Sequence, residues 1–206
     1  MTDCFALLGE PRRPWLETEA LKARFISISS PTHPDRVHGE SSSLKQAATE
    51  RYTDLNAAYA CLREPRSRLQ HLLELERSAK LETVQKAPPG MMDFFTAVSQ
   101  ICRLVDEFLA EGSRISSPLL KVQRFEKGFE WMEKLNALKN QLSFRLGELD
   151  EESRQMNGVW EEAPPVGSPA RPSRLPLERL EQVHQMYSYL GRWVAQIQDR
   201  LLQLSL

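Results

Sequence analysis

The segment that decides the fold is residues 31–43, which read PTHPDRVHGESSS. Its two prolines, one glycine and four serine or threonine residues cannot sustain a helix, so the segment predicts a solvent-exposed loop. On both sides of it, apolar residues recur every three or four positions, as they do along one face of an amphipathic helix. The sequence therefore predicts a helical hairpin whose two arms are joined by this polar loop.

The first arm of the hairpin is predicted over residues 18–30, with Leu21 and Phe25 on its apolar face. Pro31 ends this arm, because the residue before a proline avoids helical geometry. The second arm is predicted over residues 44–63. Its apolar face consists of Ala48, Tyr52, Leu55, Ala58, Tyr59 and Leu62. Short helices are predicted on both sides of the hairpin, with apolar residues Phe5, Leu7 and Leu8 before it and Leu69, Leu72, Leu73 and Leu75 after it.

A domain boundary is predicted after these helices. Residues 77–90 lose the helical periodicity and end in two prolines and a glycine, which is a composition typical of a linker. The first domain is accordingly predicted to span residues 1–76, and the second residues 91–206.

The second domain is predicted to contain three amphipathic helices. They begin near Phe95, Pro118 and Leu177, and a proline-rich loop at about 150–176 separates the last two. Helices with one apolar face each bury those faces most economically against one another, in a three-helix bundle. The predicted fold class is therefore all-α.

Charge and hydropathy exclude several classes of function. Lysine and arginine number 27 against 28 acidic residues, so the chain lacks the strong positive field that attracts nucleic acid or an anionic membrane. No run of eighteen apolar residues occurs. The N-terminal sequence MTDCFALLGEPRR carries an acidic residue where a signal peptide needs a basic region, so a cytoplasmic location is expected.

The sequence shows no pattern of a catalytic or metal site. Cys4, Cys61 and Cys102 are odd in number and widely spaced, unlike a disulfide framework or the paired cysteines of a zinc site. His71 and His184 have no metal-binding residue at ligand spacing, so surface or helix-end positions are expected for them. Phosphate-loop, dinucleotide and nucleophile-elbow motifs are absent, and the prediction is a protein that is not an enzyme and needs no cofactor.

The tripeptide His33-Pro34-Asp35 is the chemically informative part of the loop. Pro34 restricts the backbone of His33 to extended geometry and removes one amide donor, so the flanking side chains are presented in a constrained way. An exposed carboxylate such as that of Asp35 suits the two-pronged hydrogen bonding of an arginine. The alternative is an ordinary turn, since proline and aspartate both favour turns.

The context of the tripeptide resembles a known family. Residues 3–75 resemble the J-domain of the HscB (mitochondrial Jac) iron-sulfur co-chaperones of the DnaJ superfamily. The matching motifs are Cys4-Phe5-x-Leu7-Leu8-Gly9, Ala20-Leu21-x-x-Arg24-Phe25, His33-Pro34-Asp35-Arg36 and Leu55-Asn56-x-Ala58-Tyr59-x-x-Leu62-Arg63-x-Pro65-x-x-Arg68. The resemblance implies that the loop and the exposed face of the second helix bind a DnaK/HscA-type chaperone and stimulate its ATPase. The residues expected to make these contacts are His33, Pro34, Asp35, Arg36, Lys22 and Arg24.

The same resemblance implies a client site in the second domain. HscB proteins use exposed apolar residues of a C-terminal three-helix bundle to hold the scaffold protein, IscU-like, on which iron-sulfur clusters are built. The residues that resemble this site are Met91, Met92, Phe95 and Tyr189. Methionine and aromatic side chains favour the centres of protein interfaces, although all four side chains would also suit a bundle core.

Two other functions remain open at this point. One is a J-domain adaptor that delivers a different client, because residues 96–103 read TAVSQICR where the family has a glutamate-rich face. The other is a helical interaction protein that stimulates no ATPase.

Overall fold

The computed structural model describes residues 2–32, 41–81, 90–112 and 118–205. Eight α-helices and no strand occur within these ranges, so the all-α prediction is confirmed. The helices are α1 (Cys4–Leu8), α2 (Thr18–Ser29), α3 (Ser42–Arg63), α4 (Pro65–Arg77), α5 (Met92–Gly112), α6 (Pro118–Glu162), α7 (Arg171–Arg174) and α8 (Leu177–Leu204). Across the described ranges, none of them combines the length and the hydropathy that a membrane-spanning helix requires.

The chain divides into two compact units that are not consecutive stretches of sequence. The first unit comprises Met1–Val84 and Asp150–His184, and the second Gln85–Leu149 and Gln185–Leu206. The predicted second domain, residues 91–206, therefore includes a segment that packs with the N-terminal helices. Of the predicted linker 77–90, residues 82–89 lie outside the described ranges.

The helical hairpin of the first unit consists of α2 and α3. Leu21 on α2 and Leu55 on α3 are fully buried, and the rings of Phe25 and Tyr59 stack with their centroids 4.5 Å apart. Burying a leucine side chain stabilises a fold by about 1.5–3 kcal/mol, so these contacts hold the two arms side by side. The predicted apolar stripes are the faces on which the arms meet.

A buried arginine fixes the turn from α3 into α4. The carboxylate of Glu64 accepts hydrogen bonds from the backbone N–H groups of Arg66 and Ser67 and so caps α4. The guanidinium of Arg68 donates to the carbonyl of Leu62 at 2.7 Å, and also to that of Pro14. Arg68 thereby satisfies a carbonyl at the end of α3, which would otherwise lack a partner within its helix.

The predicted proline-rich loop at 150–176 is wrong over its first half. Helix α6 continues to Glu162, and the irregular segment begins only at residue 163. Every proline of the predicted loop lies at or beyond Pro164, whereas residues 150–162 consist mostly of good helix formers. Gly158 is accommodated inside the helix, at a cost of about 1 kcal/mol relative to alanine.

The second unit is a three-helix bundle. Its members are α5, residues 118–149 of α6 and residues 185–204 of α8. Arg200 on α8 bonds Asp106 on α5, and Arg124 on α6 donates to the carbonyl of Phe108 on α5. The apolar side chains buried in this unit are Met91, Val98, Cys102, Val105, Leu135, Leu138, Leu142, Leu149, Met186, Tyr187, Leu190, Trp193 and Ile197. The bundle predicted from the apolar faces is confirmed for this unit.

Candidate functional site

The residues of the predicted chaperone-binding loop, His33, Pro34, Asp35 and Arg36, lie outside the described ranges. The structure does describe the helices on both sides of them. After α2 a 3-10 turn covers Ser30–Thr32, where the hydroxyl of Thr32 donates to the carbonyl of Ser29 at 3.1 Å. Ser41 then caps α3 through its side-chain oxygen. In sequence, the tripeptide therefore falls between the two arms of an observed hairpin.

The two cations predicted on the first arm, Lys22 and Arg24, are exposed on α2. Each side chain has 54% of its surface accessible. Lys22 lies 3.9 Å from the carboxylate of Glu19, and Arg24 lies 3.8 Å from that of Glu10. Exposed ion pairs this long contribute about 0–1 kcal/mol, so both cations can exchange these neighbours for an acidic partner.

Met91 is buried, contrary to its prediction as a client-binding residue. Its side chain is 1% exposed, at the position immediately before α5. Met92, the next residue, is 64% exposed. The side chains of adjacent residues in a helix point in directions about 100° apart around the helix axis. Two consecutive methionines at a helix start can therefore lie one in the core and the other in solvent.

Met92 and Phe95 are three residues apart on α5 and share one face of the helix. Phe95 is 50% exposed, and its ring centroid lies 6.5 Å from that of Trp193 on α8. Tyr189, half-buried on α8, lies 5.7 Å from the same tryptophan ring. We refer to Met92, Phe95 and Tyr189 as the α5/α8 patch. Both aromatic rings of the patch lie next to that of Trp193, which is buried. The spacing of apolar residues along α8 does not distinguish Trp193 from an ordinary core residue.

The sequence did not single out a second group of exposed aromatic residues, on α6. Phe125 and Phe129 are 67% and 50% exposed and meet edge to face with their centroids 4.7 Å apart. Farther along the helix, Phe144 is 72% exposed. The sequence could have indicated these exposed residues, because apolar residues occur on more than one face of α6, whereas a helix that packs on a core usually has a single apolar stripe.

Three residues of metal-binding types converge in the first unit, although their spacing predicted no site. Cys4 begins α1, Cys61 lies near the end of α3 and His71 lies on α4. One potential ligand atom from each lies within 4.8 Å of the others. The backbone N–H of Cys4 donates to Nε2 of His71 at 3.0 Å, and the imidazole stacks on Phe5. We refer to Cys4, Cys61 and His71 as the thiol–imidazole cluster. The predicted surface or helix-end positions of His71 and His184 are wrong, because both side chains are buried and lie within their helices.

The two thiols of this cluster differ in their affinity for a proton. A hydrogen bond from the Cys61 thiol, aided by His71, lowers the pKa of Cys4 to about 5 against the opposing effect of burial. The same hydrogen bond, together with burial, raises the pKa of Cys61. Cys102, elsewhere on α5, also has a raised pKa because it is buried. Cys4 therefore gives up its proton more readily than Cys61 does.

A shallow groove opens beside the cluster. It has a volume of about 420 Å³ and is lined in part by Cys61, His71 and Glu74. Cys4 and Cys61 are themselves only half-buried. A small ligand in the groove therefore lies next to Cys61 and His71 without displacing a helix.

Comparison with known proteins gives a match in fold. No protein-family model matches the sequence. The structure of human co-chaperone protein HscB superimposes with a TM-score of 0.57 at 17% sequence identity, over 98% of this chain and 81% of the human one. The chain has the HscB fold. Chaperone HscB from Vibrio cholerae also aligns, with a TM-score of 0.47 at 19% identity, over 93% of this chain and 96% of that one.

The HscB fold covers both compact units of the chain, because the alignment with the human protein leaves almost no residue unmatched. The predicted resemblance rested on residues 3–75 and on two short motifs farther along. The structural match extends it through α5, α6 and α8, where the sequence carries few recognisable motifs.

Proposed function

We propose that this protein is a co-chaperone of the HscB type. It stimulates the ATPase of a DnaK/HscA-type chaperone and delivers an IscU-like iron-sulfur scaffold protein to it. The observation that carries the proposal is the sequence His33-Pro34-Asp35 between α2 and α3 of an HscB fold. A turn-forming tripeptide is common by itself, but its occurrence between the two arms of this hairpin is specific.

The proposed chaperone contact combines a carboxylate in the loop with cations on α2. Asp35 can accept two parallel hydrogen bonds from an arginine of the chaperone, and charge-assisted bonds of this kind are about twice as strong as neutral ones. Lys22 and Arg24 stand on the exposed face of α2 and hold their present carboxylate neighbours only loosely. Together they would bind an acidic surface on the chaperone. ATP hydrolysis then takes place on the chaperone, so this chain need not supply a catalytic group.

The proposed client contact is the α5/α8 patch. It presents a flexible methionine and two aromatic rings, and such side chains are enriched at the centres of protein interfaces. Arg192 lies over the ring of Tyr189 at 4.7 Å and adds a cation at the edge of the patch. An apolar centre with a polar edge is the usual arrangement of a protein-binding surface.

A client other than an iron-sulfur scaffold is the second candidate. The observation in its favour is the sequence of α5 beyond the patch, which reads TAVSQICR over residues 96–103 where the resemblance implies a glutamate-rich face. Ser99, Gln100 and Arg103 are exposed in this stretch. Loss of those carboxylates removes charge complementarity toward a basic client, which matters for partner choice more than for fold. A protein that delivers a different client would still make the proposed contact with the chaperone.

The deciding experiment is the single-turnover ATPase rate of a DnaK-type chaperone, measured with this protein in the presence and absence of the scaffold. We expect stimulation that disappears with His33→Gln and with Asp35→Asn. His38→Gln provides a matched control in the same loop, and Asp54→Asn is the control for removal of an exposed carboxylate. Circular dichroism of each variant verifies that the fold is intact.

Each outcome separates one candidate from the others. Stimulation that requires His33 and rises further with scaffold supports the HscB-type function. His33-dependent stimulation that ignores the scaffold supports delivery of another client. If no stimulation occurs with any DnaK-type partner of the same cell, the co-chaperone proposal is wrong and a structural interaction protein remains.

A further inference from the structure

The thiol–imidazole cluster has the composition of a site for a thiophilic metal ion. Sulfur and imidazole ligands favour zinc and neighbouring transition metals, whereas magnesium and calcium require oxygen ligands. Cys4, Cys61 and His71 supply two sulfur atoms and one nitrogen from three different helices. Their convergence is unrelated to the hairpin loop and to the α5/α8 patch.

The separation of the three ligand atoms is close to that of a metal site. They lie within 4.8 Å of one another. A tetrahedral zinc ion with Zn–S bonds of about 2.3 Å and a Zn–N bond of about 2.0 Å holds such atoms about 3.5–3.8 Å apart. Side-chain rotations that move each atom by less than an ångström are sufficient to close this difference. Neither Cys4 nor Cys61 is fully buried, and Cys61 borders the open groove.

We propose that Cys4, Cys61 and His71 bind one divalent transition-metal ion, of which Zn²⁺ is the best chemical match. Both thiols bind as thiolates, and the proton still held by Cys61 leaves to solvent when the metal binds. The imidazole binds through its lone pair, so the hydrogen bond that Nε2 accepts from the Cys4 N–H is given up. The coordinate bond replaces that interaction on the same ring.

Three protein ligands leave the fourth coordination position of a tetrahedral ion open. The groove beside the cluster is the open space next to this position. Cys61 and His71 line this groove together with Glu74, which lies one helical turn after His71 on α4. A zinc ion with two sulfur ligands and one nitrogen ligand completes its tetrahedron with water in sites of this composition. Water in the groove would occupy that position and exchange with solvent.

The metal would connect parts of the chain that are distant in sequence. Cys4 on α1, Cys61 on α3 and His71 on α4 belong to the same compact unit. A ligand that binds the folded state and not the unfolded chain stabilises the fold in proportion to its affinity and concentration. Metal binding therefore stabilises the first unit, and this effect does not depend on the proposed co-chaperone function.

The test uses the full-length chain, reduced and freed of metal, and titrates it with Co²⁺ as a spectroscopic substitute for Zn²⁺. We expect sulfur-to-cobalt charge-transfer absorption that saturates at one equivalent and is displaced by Zn²⁺. The absorption is lost in Cys4→Ser and in Cys61→Ser. Cys102→Ser is the matched control, since this third cysteine lies on α5 in the other unit, and it leaves the titration unchanged.

Thiol counting on the unaltered chain keeps the proposal testable if the variants fail to fold. A stoichiometric amount of Zn²⁺ should protect Cys4 and Cys61 from a thiol reagent and raise the melting temperature. The proposal is overturned if the metal ion binds with an affinity weaker than micromolar, or if the charge-transfer absorption persists in Cys61→Ser. A Cys4–Cys61 disulfide that resists reductant in the purified protein would also overturn it, because the two sulfur atoms would then be unavailable.

Discussion

The guanidinium of Arg171 and the carboxylate of Glu76 form two parallel hydrogen bonds, of 2.8 and 2.9 Å, inside the first unit. Their side chains are 7% and 2% exposed. A third N–H of Arg171, on Nη1, donates to the carbonyl of Pro164 at 2.7 Å. The pair thus attaches the proline-rich segment to α4, and both ionic groups are buried and hydrogen-bonded to each other.

Breaking this pair should destabilise the protein strongly. Arg171→Met leaves the carboxylate of Glu76 buried without its partner, which costs about 3–5 kcal/mol of unfolding free energy. Arg77 follows Glu76 on α4, and Arg77→Met is the matched control, since it breaks an exposed pair with Glu181 of α8 and should cost about 0–1 kcal/mol. Urea denaturation followed by circular dichroism measures both. Equal losses would show that the burial of the Arg171 pair has no energetic consequence.

The side-chain amide of Asn157 pairs with both backbone groups of Trp15. It accepts from the N–H and donates to the carbonyl, each at 3.0 Å. Asn157→Ala leaves two backbone groups without these partners, and we expect a loss of about 1–3 kcal/mol together with faster hydrogen exchange at Trp15. Gln155→Ala, two residues away on the exposed side, should change stability by less than about 0.5 kcal/mol. Unchanged exchange at Trp15 would contradict the expected coupling.

The two adjacent methionines at the start of α5 should differ in how much stability is lost when each is truncated. Met91→Ala removes a buried side chain and should cost about 2–5 kcal/mol, whereas Met92→Ala removes an exposed one and should cost less than about 0.5 kcal/mol. Thermal melts of the two variants provide the measurement. A similar melting temperature for both would mean that Met91 also lies at the surface in solution.

Truncation of the α5/α8 patch should weaken client binding and leave the fold intact. For the double variant Met92→Ala, Phe95→Ala we expect the dissociation constant for the scaffold protein to rise roughly tenfold or more, because central apolar residues dominate interface energies. Phe144→Ala provides an exposed aromatic control on α6. Calorimetric titration with the scaffold measures the change. Equal weakening by the control would indicate that the client does not use the patch.

His184 should make the first unit sensitive to acid. Burial, and then the charge of Arg66, lower its pKa below the usual 6.5, while the carboxylates of Glu181, Glu64 and Glu74 oppose the shift. The unfolded chain therefore binds a proton at a higher pH than the folded chain does. The contribution of His184 to stability is therefore fully present above pH 6.5 and is lost as the pH falls below this value toward the folded-state pKa.

The slope of stability against pH tests this expectation. His184→Gln should reduce the loss of unfolding free energy between about pH 7 and pH 5, since one linked proton contributes at most about 1.4 kcal/mol per pH unit. His38→Gln, in the polar loop sequence, provides a histidine control. An unchanged slope in His184→Gln would mean that this histidine titrates alike in the folded and unfolded states.

The sequence by itself predicted the order of the longer helices in the described residues and most of their approximate bounds, but the short helix α7 lies inside the predicted loop. Each depends on local information: a stripe such as Leu55, Ala58 and Leu62, or a helix stop such as Pro31. Apolar periodicity and backbone geometry act over a few residues, so they can be recognised without the rest of the chain. The extent of α6 was misjudged because one composition was assigned to residues 150–176, although their prolines begin only at Pro164.

Only the tertiary structure decided which distant residues meet. Met91 and Met92 look alike in sequence, but the direction of the helix start buries one and exposes the other. Cys4 and Cys61 are 57 positions apart, and only the packing of α1 against α3 and α4 brings them to His71. Local periodicity indicates which face of a helix is apolar. Which side chains of other helices pack against that face is determined by the close packing of the whole unit.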